Sequence, residues 1–434
     1  MSNPTFIQCE IRTMDHKCSP LYSPLLSNTM RLLHLEADMS VVNDGNLIVT
    51  AFETAPPYYA LSHCWGTLAR DAIVSVNNQS VAVSSDLSSG IRRLRELAAN
   101  DSMLDPPIEY IWIDNICINQ DDAQEIAAQV TLMGRLYSRS IKTLIWLGPD
   151  PEGEESFAPA WELVDEIYHV IRTLHPTARV VEDMPRRMYS DIFHDAIGMP
   201  RWTDQRWRGF QALLMRPWFS RLWIVQEVAL SPRDPTIVQG RRLFSWHHLK
   251  WVAGWMRRNG YIRLSQISSI LLNLDCIRRI QDSKHRWPLD ALMSVTQIKF
   301  HASDQRDKVF GLIGLSAEGE EPSLLPEPLR PDYVSDTIQV YQKVTRYLLE
   351  NRGSLAMLTR TRSTNDRFER DCRQYNLSAL PSWVQNWSDY REFDSRIASS
   401  LSWIHYVDSS KPAHLAFKYT LRQTAEFSAL VAFG

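Results

Sequence analysis

The stretch IEYIWIDNICINQDDAQEIAAQVTLMGRLYSRSIKTLIWLG, residues 108–148, decides the fold class. After the break at Pro106 and Pro107, residues 108–113 form a short apolar run of the kind that makes a buried strand. Asp122 and Glu125 have capping-box spacing, and Ile126, Val130, Met133 and Tyr137 recur on one helical face. Residues 142–147 read as a second strand, stopped by Gly148 and Pro149. Strand, helix, strand in this rhythm predicts a parallel sheet flanked by helices, the α/β class. In such sheets ligands lie outside the carboxyl ends of the strands.

The pattern continues in both directions. Upstream, residues 58–62 form an apolar strand ending in His63-Cys64-Trp65-Gly66, and residues 73–83 read as a hairpin turning at Asn77-Asn78. Ser85 or Asp86 is placed to cap a helix whose face carries Leu87, Ile91, Leu94 and Leu97. Downstream, an acidic loop over 150–155 leads to a helix through Trp161, Val164, Ile167 and Val170. Residues 177–199 then read as a long polar loop, and 236–238 as a strand. Past about residue 244 helical segments dominate, over 245–258, 267–280, 289–298, 309–315 and 335–349. The division this predicts is a lead-in at 1–50, an α/β domain at 51–243 and a mainly α-helical region at 244–434.

A formal charge of −3 over 434 residues, with a pI of about 6.5, argues against a nucleic-acid-wrapping surface. The six Cys show no C-x-x-C pair and no spacing with His that would form a zinc site or a disulfide framework. No secretory leader pattern opens the chain and no run of eighteen apolar residues occurs, which predicts a cytoplasmic protein without a membrane span. Residues 427–434 end without a clear closing element, so an incomplete or divergent C-terminal region is expected. Fifteen Trp is high against average usage.

Three constellations carry chemistry. Residues 216–230 read as one helix, apolar nearly all round from Leu222 to Leu230 except for Gln226 and Glu227, with Phe219, Trp223 and Glu227 sharing a face at i, i+4 and i+8. A carboxylate buried there is either put to use, its pKa raised by desolvation, or held in a salt bridge to Arg216, Arg221 or a more distant Arg. Asp114 sits at a strand's carboxyl end, although its neighbours Asn119, Asp121 and Asp122 are also good turn and cap residues. His63 and Cys64 invite a thiol-protease reading with Cys64 or Cys117 as nucleophile, but adjacent strand residues point to opposite faces, and single cysteines are more often structural. The Arg and Trp interleaved over 201–223 are equally explained by buried indoles with Arg at helix ends. There is no P-loop, no G-x-G-x-x-G after a strand and no H-E-x-x-H.

Tyr59-Ala-Leu-Ser-His-Cys-Trp-Gly66, the block Ile111–Asp122 followed by Gln129, Met133 and Tyr137, Ile145-Trp-Leu-Gly148, and Trp218-Phe-Ser-Arg-Leu-Trp-Ile-Val-Gln-Glu227 resemble, in order, the blocks of the fungal heterokaryon incompatibility (HET) domain. Residues 302–315, 331–333 and 380–387 resemble segments that commonly follow it. The resemblance implies a role in non-self recognition and regulated cell death. It further implies a distant likeness to TIR domains, a flavodoxin-like family with members that cleave NAD. On that likeness Glu227 is the catalytic acid, and Ser62, Trp65, Gly66, Asp114, Gln120 and Trp223 line the substrate pocket. NAD would be substrate rather than cofactor, no metal is required, and activation would come from self-association or another incompatibility protein. The rival reading is a non-enzymatic signalling module. One departure is Ile126, where the family often has Arg, so an ion pair supplied by that Arg is lost here.

Overall fold

In the computed structural model, which describes residues 21–65, 70–100, 103–151, 156–261, 268–283, 285–297, 300–352, 380–381 and 383–388, the strands gather into one nine-stranded sheet. They are β1 (Thr29–Leu35), β2 (Gly45–Ala51), β3 (Tyr59–Ser62), β4 (Ala72–Val76), β5 (Gln79–Val83), β6 (Tyr110–Trp112), β7 (Thr143–Trp146), β8 (Thr236–Gln239) and β9 (Arg242–Ser245). Their spatial order is β5-β4-β2-β1-β6-β3-β7-β8-β9. The centre, β6-β3-β7-β8, is parallel throughout. Read in chain order these four run second, first, third, fourth, the flavodoxin-like arrangement whose crevice opens where the order reverses, beside β3 and β7. β3 and β7 are buried at every residue, as strands covered on both faces must be.

The sheet is mixed rather than wholly parallel, because hairpins extend it at both sides. β4 and β5 turn at Asn77 and Asn78, both left-handed (φ 54° and 58°), the backbone a type I′ hairpin requires. β8 and β9 turn at Gly240 (φ 53°), a hairpin the polar sequence there did not announce. The segment expected to be a lead-in supplies β1 and β2, and β1 lies antiparallel against β6. Its Met30, Leu32, Leu33 and Leu35 are buried, so these strands help to close the core.

The helices are α1 (Ser85–Ala98), α2 (Asp114–Cys117), α3 (Ala123–Arg139), α4 (Ala158–Leu174), α5 (Asp191–Ile197), α6 (Arg206–Leu214), α7 (Ile224–Ala229), α8 (Trp246–Arg258), α9 (Ser268–Gln281), α10 (Leu289–Thr296), α11 (Asp307–Ile313) and α12 (Thr337–Arg352). α1 is capped by Ser84, one residue before the expected caps, and buries the predicted Leu87, Ile91, Leu94 and Leu97. The polar stretch read as a loop contains a 3-10 turn at Val181–Asp183 and α5, which Ser190 caps and Gly198 ends (φ 71°). α3 has half of its predicted capping box. Asp122 accepts from the Gln124 and Glu125 amides, but the Glu125 carboxylate turns away to Asn119 N (2.7 Å) and to Arg31 of β1 (2.5 and 3.1 Å). Arg31 and Glu125 are both nearly inaccessible, so their bidentate pair ties α3 to the antiparallel side of the sheet.

Apolar side chains form two packed regions. The smaller joins β1, β3, α1, β6 and α3. The larger runs from Ile145 to Trp387 and packs α4, α6 and α7 with α8 through α12. No gap between cores separates the residues on either side of 244, since Phe219, Leu222 and Ile224 share the larger core with Leu274, Leu292, Phe300 and Val309. Among the described residues no helix is long and apolar enough to cross a membrane.

Candidate functional site

Ser62 closes β3 at its carboxyl end. Its hydroxyl donates to the Glu227 carboxylate and accepts from Trp218 Nε1 at 2.9 Å. Behind Glu227, Thr143 Oγ1 donates to its carbonyl at 2.7 Å, pinning α7 to β7. Burial pushes the Glu227 carboxyl up to about 7. Arg221 and the Ser62 hydroxyl pull it down, and the Asp114 charge adds to the rise. The salt bridge weighed as an alternative is not formed: Arg221 donates to the His63 carbonyl, and Arg216 stacks over Phe157 at 5.6 Å.

The single helix expected over 216–230 is two pieces. Pro217–Ser220 makes a 3-10 turn, Arg221 is extended (ψ 142°), and α7 starts only at Ile224. The break is stabilised from outside: Leu222 N donates to the His301 carbonyl (2.8 Å) and His301 N to the Ser220 carbonyl (2.7 Å), a parallel bridge to the chain's second half. Phe219 therefore leaves the face predicted for it and packs in the larger core, while Trp223 packs against the smaller one. Trp223 and Glu227 keep their one-turn spacing, with Glu227 N donating to the Trp223 carbonyl.

Asp114 is the first residue of α2, just past β6. Its Oδ2 accepts from Trp65 Nε1 at 2.9 Å, its Oδ1 from Asn115 N at 2.7 Å, and its carbonyl from Gln120 Nε2 at 2.9 Å. His63 Nδ1 stands 3.7 Å away, but burial lowers that imidazole to about 4, so it is neutral at pH 7 and forms no ion pair. Burial pushes the Cys117 thiol up to about 12, away from the thiolate that a nucleophile at this position needs.

These groups surround a cleft of about 630 Å³. Trp65, Asp114, Gln120 and Trp223 line it together, as does Ile126, whose apolar side chain occupies wall where an Arg would have brought charge. Ser62 and Glu227 are not in the lining; at 0% and 2% exposure they lie behind it. Gly66 lies outside the described residues. Ala302, Ser303, Asp304, Arg306 and Asp307 with Tyr333 also line the cleft, and none of these is among the site residues expected from the sequence. The sequence signals for them are the resemblance of 302–315 and 331–333 to segments that commonly follow the HET domain and the charged run Arg306-Asp307-Lys308, set directly before the apolar 309–315. Arg221 completes the polar lining. Among the described residues no three His, Cys, Asp or Glu side chains gather as a metal-ligand set.

A family model described as "Heterokaryon incompatibility protein (HET)" matches residues 58–227, from the residue before β3 to Glu227. The chain is also similar to "Heterokaryon incompatibility protein 6, OR allele" of Neurospora crassa, with 25% identity over 408 residues, 83% of this chain and 58% of that protein. It thus spans less than two thirds of that relative's length. No solved structure matches at a significant level.

Proposed function

The chain carries a heterokaryon incompatibility domain at residues 58–227, and on that premise we propose that it acts in fungal non-self recognition and the regulated cell death that follows, by cleaving NAD in the crevice beside β3. The observation that supports the enzymatic part is the Ser62–Glu227 pair: a carboxyl raised to about 7, set in a dry environment at the carboxyl end of a central parallel strand. In the reaction the bond between ribose C1′ and the pyridinium nitrogen breaks, its electron pair leaving with nicotinamide. Water then adds to C1′ and releases a proton. The ribosyl centre carries oxocarbenium character in between, and an ionised Glu227 stabilises that charge most strongly where water is excluded. Ser62 and Trp218 hold the carboxylate in one orientation. Self-association or a partner incompatibility protein would admit substrate by moving the wall in front of Glu227.

A second reading, a recognition module without catalysis, draws its support from that same wall. Glu227 does not line the cleft, and a domain that only binds a ligand needs no more than the cleft. Incubating the purified full chain with NAD separates the two. Release of nicotinamide, abolished in Glu227→Gln, is the expected outcome. No release by wild type, or equal release by the variant, leaves only the non-enzymatic reading.

A further inference from the structure

Building on the reading of the crevice as a nicotinamide site, we propose that Asp307 and Trp223 form a subsite for a pyridinium cation, so that a residue beyond the matched domain sets the preference for the oxidised nucleotide. Asp307 opens α11 and lines the cleft. Its Oδ2 accepts from Trp223 Nε1 at 3.0 Å and its Oδ1 from the Tyr333 hydroxyl at 2.8 Å. Both donors are neutral. The nearest cation in its own segment, Arg306, is engaged with Asp304 at 2.6 Å and with the Tyr333 and Ser335 carbonyls. Asp307 thus has no ion-pair partner among the described residues, and burial with the Asp304 charge pushes its carboxyl up to about 7. A cation arriving in the cleft supplies the missing counter-charge.

The aromatic half of the subsite is equally fixed. The Trp223 indole is held at its nitrogen by Asp307, and its six-membered ring lies over Gly311, where an added Cβ would come within 3.5 Å of it. A ring held in place with a carboxylate at its edge suits a planar cation, which gains from both the π face and the charge. A neutral dihydropyridine gains only from the stacking. In the same cleft Arg221 offers a cationic group for the anionic end of a dinucleotide.

Titration calorimetry of the full chain with 1-methylnicotinamide, and with neutral nicotinamide carrying the same ring and amide, tests this at pH 8. The cation is expected to bind about tenfold more tightly. Asp307→Asn should remove most of this preference, leaving only the share that the Trp223 π face supplies. Tyr333→Phe, which deletes a neutral donor and keeps the charge, should retain the preference. Equal binding of both ligands by wild type, loss of the preference in Tyr333→Phe, or an undiminished preference in Asp307→Asn would overturn the assignment. Neither ligand carries the glycosidic bond of NAD, so a chain that fails to cleave NAD can still satisfy this test, and one that cleaves it can still fail.

Discussion

At the scale of single residues, Glu227 sits in surroundings that disfavour its ionised form. A carboxyl that titrates near 7 when folded and near 4.5 when unfolded keeps its proton in the native state across that interval. The folded chain then binds more protons than the unfolded one, so stability falls as pH rises from about 4.5 to about 7 and stays low above it. The whole effect is on the order of 3 kcal/mol. Glu227→Gln lacks this slope, so urea midpoints should show the variant gaining on wild type between pH 5 and pH 8. Parallel pH profiles would mean that the carboxyl titrates normally. Catalysis by the ionised form has the opposite dependence, rising with pH through about 7. That Glu227 would be buried was legible from an otherwise apolar segment. Its pairing with Ser62, 165 positions away, was not, because hydrogen-bond partners across a sheet leave no periodic trace.

At the scale of elements, the decisive event is a helix that stops. Residues 216–230 are apolar enough for one continuous helix, yet the Ser220 carbonyl and Leu222 N bond to the His301 backbone instead of within one helix. Local patterning cannot anticipate such a competitor. The seam that brings the second half against α3 is made by two glycines: a Cβ on Gly314 would meet Gly134 Cα at 2.8 Å and Gln226 Oε1 at 2.5 Å. Gly314→Ala must therefore push α11 off α3, at about 1–3 kcal/mol by the usual expense of overpacking. Gly209→Ala in α6 meets only Ala160 Cβ, at 3.7 Å, and should be neutral or stabilising by about 0.5–1 kcal/mol. Denaturant midpoints compare the two directly, and similar destabilisation of both would argue against a close seam. Other elements follow their local signals. Asn77-Asn78 turns the β4–β5 hairpin as read, since few residue pairs tolerate two consecutive left-handed conformations.

At the scale of the whole molecule, the matched domain and the folded unit differ in extent. The larger core continues from β7 and α7 into α8 through α12 without interruption, and six of the nineteen residues lining the cleft come from 302–307 and 333. A chain ended at residue 243 would expose Phe219, Leu222, Ile224 and Val225, all fully buried in the intact protein. It is expected to lack a cooperative thermal transition and to bind a hydrophobic dye, whereas a sharp transition would show that residues 1–243 carry a sufficient core of their own. The sequence by itself determined the α/β class, the order of most strands and helices, the burial of Glu227 and the resemblance to the HET blocks, because periodicity, caps and turn residues act over a few neighbours and block order survives as text. Tertiary structure alone decided that β1 and β2 join the sheet, that Glu227 stands behind the cleft rather than in it, and that Asp307 faces Trp223. Each of these depends on which distant surfaces exclude water together, and burial between remote segments is a property of the assembled chain rather than of any one stretch of it.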